Sequence, residues 1–228
     1  MERTIAKGNV RNARRRRRRA WLAAEYVVLF VALPIAYVYD LIPLPPIPAL
    51  WILSGACLAI LLGASDFDRK RLWNTRRLRV RLQRAFLPFL FAAPLLVLFT
   101  AAVAPDRLLV MIREHPWLWV GLMLAYPVLS VYPQGLVYRA FIFHRYRPIF
   151  RNRWARIVAS AVAFSMVHVI FENWIAPAVT LAGGFLFAWT YARTRSALVA
   201  SVQHALFGCY SFTIGLGWFF YYAFATAN

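Results

Sequence analysis

The chain has 228 residues, 62% hydrophobic, 17% aromatic and only 15% charged, with a formal net charge of +19. A soluble domain averages about 45–50% apolar and about 25% charged residues, so this composition excludes an ordinary soluble protein and requires lipid around the apolar excess. The length suits one domain, and the charge is distributed in a way that points to membrane lipid rather than nucleic acid as the partner of the basic side chains.

Residues 1–20 are a basic segment ending in arginines 14–19, and residues 21–228 make up the membrane domain. The first apolar segment, 21–39, is longer than the roughly 7–15 residues of a signal-peptide core and has no small-x-small cleavage site after it, so it reads as an uncleaved anchor. The proline-rich turn Pro43, Leu44, Pro45, Pro46 reverses the chain into segment two, 49–64, which returns to a basic loop, 66–84. Segment three covers 86–104 and leads to a nearly neutral loop, 105–116. Segment four, 117–143, is long for a span of about 20 residues and contains Pro127 and Pro133, which predict a bend. Segments five, six and seven cover 157–171, 174–191 and 197–212, and residues 214–224 predict a short eighth element. The fold class is therefore all-α, a polytopic transmembrane bundle of seven or eight helices.

All the Lys and Arg residues except Arg107, Arg113 and Arg139 fall into four patches: before Trp21, within 66–84, within 145–156, and at Arg193 and Arg195. The patches fall at alternate turns between segments, which is the positive-inside pattern. It predicts a plasma (inner) membrane protein with its N-terminus in the cytoplasm and its basic loops against anionic lipid. Trp117, Trp119, Trp174, Trp218, Tyr221 and Tyr222 fall near the opposite ends, as an interfacial aromatic belt would. Gly183 and Gly184 suit a close helix–helix approach in lipid.

Arg139, His168 and His204 are ionisable residues inside apolar segments, where such groups are costly and tend to face a bundle interior or a functional site. With a rise of about 1.5 Å per residue, Gln134, His168 and His204 fall at similar depths, roughly 12–17 Å from the basic end, with Arg139 closer to it. Each has a plainer reading: Arg139 snorkels to the headgroups, and each histidine hydrogen-bonds a neighbouring helix. Glu172 follows His168 by four residues and would share its helix face; its plain reading is a carboxylate at the outer interface.

These residues form a pattern that resembles the CPBP intramembrane peptidases, the family of CAAX prenyl endopeptidases and bacteriocin-processing proteins. The family motif Glu-Glu-x-x-x-Arg corresponds to Gln134, Gly135, Leu136, Val137, Tyr138 and Arg139; Phe-x-x-x-His corresponds to Phe164 through His168; and the final His, with Asn or Asp four residues on, corresponds to His204 and Gly208. The resemblance covers about residues 117–217. It implies hydrolysis of a peptide bond in a membrane-associated peptide or protein, with a glutamate activating water and the histidines binding metal or stabilising an oxyanion.

The departures are chemical. Gln134 and Gly135 replace the paired glutamates, and an amide orients water without taking its proton. His168 or His204 could serve as base instead, because neutral imidazole is competent near pH 7. A Zn²⁺ ion would draw on His168 and His204, with Glu172 as the third ligand that periodicity offers. The catalytic candidates are thus His168, His204, Arg139 and Gln134, with Glu172, Phe164 and Gly135 accessory. Two functions remain open: an intramembrane endopeptidase, and a catalytically inactive relative that binds a membrane peptide or protein.

Overall fold

The computed structural model describes the backbone of residues 2–220 and the side chains from Arg11 to Phe220. Among the described residues every regular element is helical, and seven helices are long and apolar enough to cross a membrane. They are α1 (Arg11–Val38), α2 (Pro46–Gly63), α3 (Leu78–Val103), α4 (Pro116–Arg145), α5 (Arg153–Phe171), α6 (Ile175–Thr194) and α7 (Ala197–Ile214). The all-α bundle expected from the sequence is what folds, and the protein is an integral membrane protein. The eighth element is a single 3-10 turn, Leu216–Phe220, and the rest of the expected stretch, including Tyr221 and Tyr222, lies outside the described residues.

The apolar boundaries understate two helices. The helix that becomes α1 begins at Glu2, because Arg and Ala are good helix formers and the arginine run simply continues the helix out of the apolar layer. For the same reason α3 starts at Leu78 and takes in Arg79, Arg81 and Arg84. Outward faces are apolar, as lipid requires: Phe91, Leu95 and Leu98 on α3, and Trp117 and Leu124 on α4, are all exposed.

Two π-helical turns reshape α4, at Pro127–Val131 and Leu136–Phe141. Pro127 has no N–H to give the preceding turn, and such wide turns tend to occur at functional sites. The second turn matters most. By winding more residues into each turn it brings Val137, Tyr138, Arg139, Ala140, Phe141 and Ile142 all into the interior. Tyr138 C=O accepts from Ser160 Oγ of α5 at 2.6 Å, which ties the turn to its neighbour.

α5 and α6 pack along each other over most of their length. Gly184 permits this: a Cβ there would lie 3.0 Å from Ala161 Cα and 3.1 Å from its carbonyl oxygen. Gly183 faces Phe187 of its own helix instead, so only the second glycine makes the crossing. α7 is pinned to α3 by Gln203 Nε2 donating to Ala85 C=O at 2.6 Å, and Tyr210 Oη donating to Ala93 C=O at 3.2 Å.

The basic patches come together at one end. Arg145 of α4 donates to both oxygens of Glu25 on α1, at 2.9 and 2.7 Å, and Tyr146 Oη donates to the same carboxylate at 3.0 Å. Burial holds the Tyr146 phenol above its ordinary pKa, so it remains a donor to Glu25. Arg147 pairs with Asp66, on the loop after α2, and His144 Nε2 lies 3.3 Å from the same carboxylate.

Candidate functional site

The site is organised around Phe164 of α5, which is 1% exposed. Arg139 Cζ sits 4.1 Å from its ring centroid, His168 at 4.7 Å and His204 at 5.1 Å, the rings edge-on. Phe187 of α6 closes the group, stacked on His204 at 4.8 Å and 5.4 Å from Arg139 Cζ. Four helices therefore contribute: α4 gives Arg139, α5 gives Phe164 and His168, α6 gives Phe187, and α7 gives His204.

Arg139 does not snorkel. It is 1% exposed, and its Nε, Nη1 and Nη2 are buried without a hydrogen-bond partner among the described residues. The π turn buries it and sets its guanidinium over the Phe164 ring. Its charge rests on two aromatic faces, an arrangement worth roughly 0.5–2 kcal/mol. That is far less than the cost of taking a guanidinium out of water.

The histidines differ in how they are held. His168 sits in the 3-10 turn Val167–Phe171 that ends α5, with Nδ1 2.6 Å from Phe164 C=O. A carbonyl only accepts, so Nδ1 carries the proton and Nε2 keeps its lone pair. His204 Nε2 faces Tyr126 Oη at 3.3 Å, while its Nδ1 is buried with no partner among the described residues. With the Tyr126 hydroxyl donating, the His204 proton resides on Nδ1, and one imidazole presents a base where the other presents a donor.

Gln134 Nε2 donates to Ser130 Oγ at 2.7 Å along its own helix, and its Oε1 is buried and unpartnered. Gly135 faces α7, where a Cβ would collide with Ser201 Oγ. Ser201 Oγ is itself buried without a partner among the described residues. Gly208 behaves the same way: a Cβ there would run into the ring and hydroxyl of Tyr126. At both positions where the motif pattern has a polar side chain and this chain has glycine, a neighbouring hydroxyl fills the space.

Tyr126 and Ser201 were not candidates from the sequence. Ser201 had a local signal, since it precedes His204 by three residues and so shares its helix face. Tyr126 had none, because its relation to Gly208 exists only once α4 and α7 pack together.

Glu172 does not share the helix face of His168 and takes its plainer place as an exposed carboxylate. It is exposed and left-handed (φ 54°), and the 3-10 turn before it has already broken the helical register with His168. Asn173 follows as the start of α6, its Oδ1 accepting from Ala176 N–H at 2.9 Å and its Nδ2 donating to Phe219 C=O at 2.8 Å. With Glu172 outside, no cluster of three His, Cys, Asp or Glu occurs among the described residues. Two imidazoles beside a guanidinium do not fit the three protein ligands of a catalytic zinc site.

Residues 116–210 match the family model described as Type II CAAX prenyl endopeptidase Rce1-like. No curated protein and no solved structure matches the chain. The matched stretch contains each motif position, from Gln134 and Arg139 through Phe164 and His168 to His204 and Gly208. By this match and by the assembly of those positions around Phe164, residues 116–210 are similar to the Rce1-like type II CAAX prenyl endopeptidases.

Proposed function

We propose that the protein is an intramembrane endopeptidase that hydrolyses a peptide bond in a membrane-associated peptide or protein. The observation that carries this reading is the unequal pair of imidazoles on Phe164, one with a free lone pair at Nε2 and one with an unpartnered Nδ1. In this mechanism His168 Nε2 takes a proton from water as its oxygen bonds to the peptide carbonyl carbon. The carbonyl π pair moves to oxygen, and the oxyanion is met by N–H groups of Arg139 and His204, donors that are buried before substrate arrives. As the C–N bond breaks, the proton on His168 passes to the departing amine. Gln134 Oε1 orients the water. No metal enters these steps.

A second reading rests on Gln134 and Gly135. The carboxylates of the family motif are gone, and Ser201 fills the space at Gly135, so the pocket would bind a membrane peptide or protein without cutting it.

One comparison separates the two. Purified protein in lipid vesicles is assayed on a membrane-peptide library as wild type, as His168→Ala, and as the double variant Gly135→Glu/Ser201→Ala, the second change removing the hydroxyl that a glutamate would strike. If the first reading holds, wild type cuts and His168→Ala loses roughly 10²–10⁴ in rate, the usual weight of a general base. Cleavage by the double variant alone sinks it in favour of the binding role.

We also propose that the basic end faces the cytoplasm and that the membrane is the plasma membrane, from the four basic patches gathered at that end. A reporter inserted at Asp66 should read cytoplasmic; a signal from the opposite side would reverse the orientation.

A further inference from the structure

Between α1, the end of α2 and the end of α4 lies a cavity of about 270 Å³ at the basic end of the bundle. Its walls include Arg18, Gly63, Asp66, His144, Arg145 and Arg147. Three arginines and one aspartate thus line it, and the arginines are not equally occupied. Arg145 is held by both oxygens of Glu25. Arg147 shares Asp66 with His144, so that carboxylate keeps a neighbour on Oδ1 when Arg147 turns elsewhere. Arg18 has no ion-pair partner among the described residues.

The Glu25 clamp explains why Arg18 lines the cavity. Seven residues separate Arg18 from Glu25, about two helical turns, so fixing Glu25 against Arg145 and Tyr146 fixes the face that Arg18 presents. The remaining wall is apolar and continuous with lipid: Ile60 lines the cavity and is itself 44% exposed on the outer face of α2. At Gly63 the space is open, with nothing within 4 Å of where a Cβ would stand.

We propose that this cavity binds the phosphate of a membrane phospholipid, with Arg18 and Arg147 as the guanidinium groups that hold it. Guanidinium matches phosphate oxygens by paired hydrogen bonds. A phosphate could also come from solution. The apolar wall at Ile60 favours the lipid, because glycerol and acyl chains attached to that phosphate would leave along the exposed face of α2. The cavity is separate from the Phe164 site, so this assignment stands or falls independently of peptidase activity.

The test uses the full chain in detergent micelles, with native mass spectrometry and thermal unfolding as readouts. The probes are dioleoyl phosphatidylglycerol, dioleoylglycerol and inorganic phosphate. Phosphatidylglycerol should be retained and should raise the unfolding midpoint, while dioleoylglycerol should do neither. Arg18→Gln and Arg147→Gln should each weaken retention about fivefold, the effect of about 1 kcal/mol per basic residue near a lipid surface. Gly63→Phe should block retention by filling the cavity and leave the lipid-free midpoint unchanged. If Arg147→Gln lowers the lipid-free midpoint through its lost pairing with Asp66, Arg18→Gln and Gly63→Phe decide. Equal retention by wild type and Gly63→Phe would overturn the site, and equal retention of dioleoylglycerol would overturn phosphate recognition. A shift with inorganic phosphate that phosphatidylglycerol does not exceed would keep the anion site and overturn the lipid as its source.

Discussion

Arg139 and Arg145 lie six residues apart on α4 and carry the same charge in opposite circumstances. Arg145 is 30% exposed and commits its guanidinium to Glu25, which is 17% exposed. Arg139 is 1% exposed, and all three of its nitrogens are unpartnered among the described residues. One arginine locks two helices together at the membrane surface. The other keeps unused hydrogen-bonding capacity in a dry interior, at a cost the surrounding fold has to sustain. Groups held in that state are what a functional site requires, because donors already desolvated do not have to be stripped of water when a reacting group arrives.

The comparison can be broken first at Arg145. Arg145→Met removes both charge-assisted hydrogen bonds to Glu25 and leaves that carboxylate with the neutral donors Tyr146 and Trp21. Hydrogen bonds to charged groups contribute roughly 1.5–3 kcal/mol, so the variant should lose about 2–3 kcal/mol in thermal or denaturant unfolding in micelles. It should also loosen α1, which proteolysis near Trp21 would reveal. Unchanged stability would mean that solvent already satisfies Glu25 and that the pair locks nothing.

The two arginines also differ in how much of them was legible beforehand. The span count, the gathering of basic patches at one end and the inward grouping of Arg139, His168 and His204 all follow from hydropathy and motif spacing, which are local properties of the chain. The details that set the chemistry are not local. The π turn at Leu136–Phe141, in which every residue including Arg139 is buried, is marked by no local pattern in the sequence. Periodicity puts Glu172 on the face of His168, but α5 tightens into a 3-10 turn and Glu172 turns left-handed before that register is reached. The glycines at 135 and 208 read as losses in the linear motif. In three dimensions Ser201 and Tyr126 occupy the space, and neither pairing is visible until α4 and α7 pack.

The smaller effect, with the opposite sign, belongs to Arg139. Arg139→Met replaces a desolvated, unpaired cation by a flexible apolar side chain that can lie on the same Phe164 and Phe187 rings. Two effects compete. The cation–π attraction that disappears is worth roughly 0.5–2 kcal/mol, whereas the desolvation penalty removed is several kcal/mol per ion in real proteins. Replacing buried ions by apolar residues of similar volume is often neutral or stabilising, by about 1–4 kcal/mol. Arg139→Met should therefore unfold at the same temperature as wild type or a few degrees higher, while losing whatever cleavage or peptide binding wild type shows. That outcome would mark Arg139 as kept for function at the expense of stability. A clear drop in the unfolding midpoint would instead assign Arg139 a structural role like that of Arg145, and would remove the contrast on which the site rests.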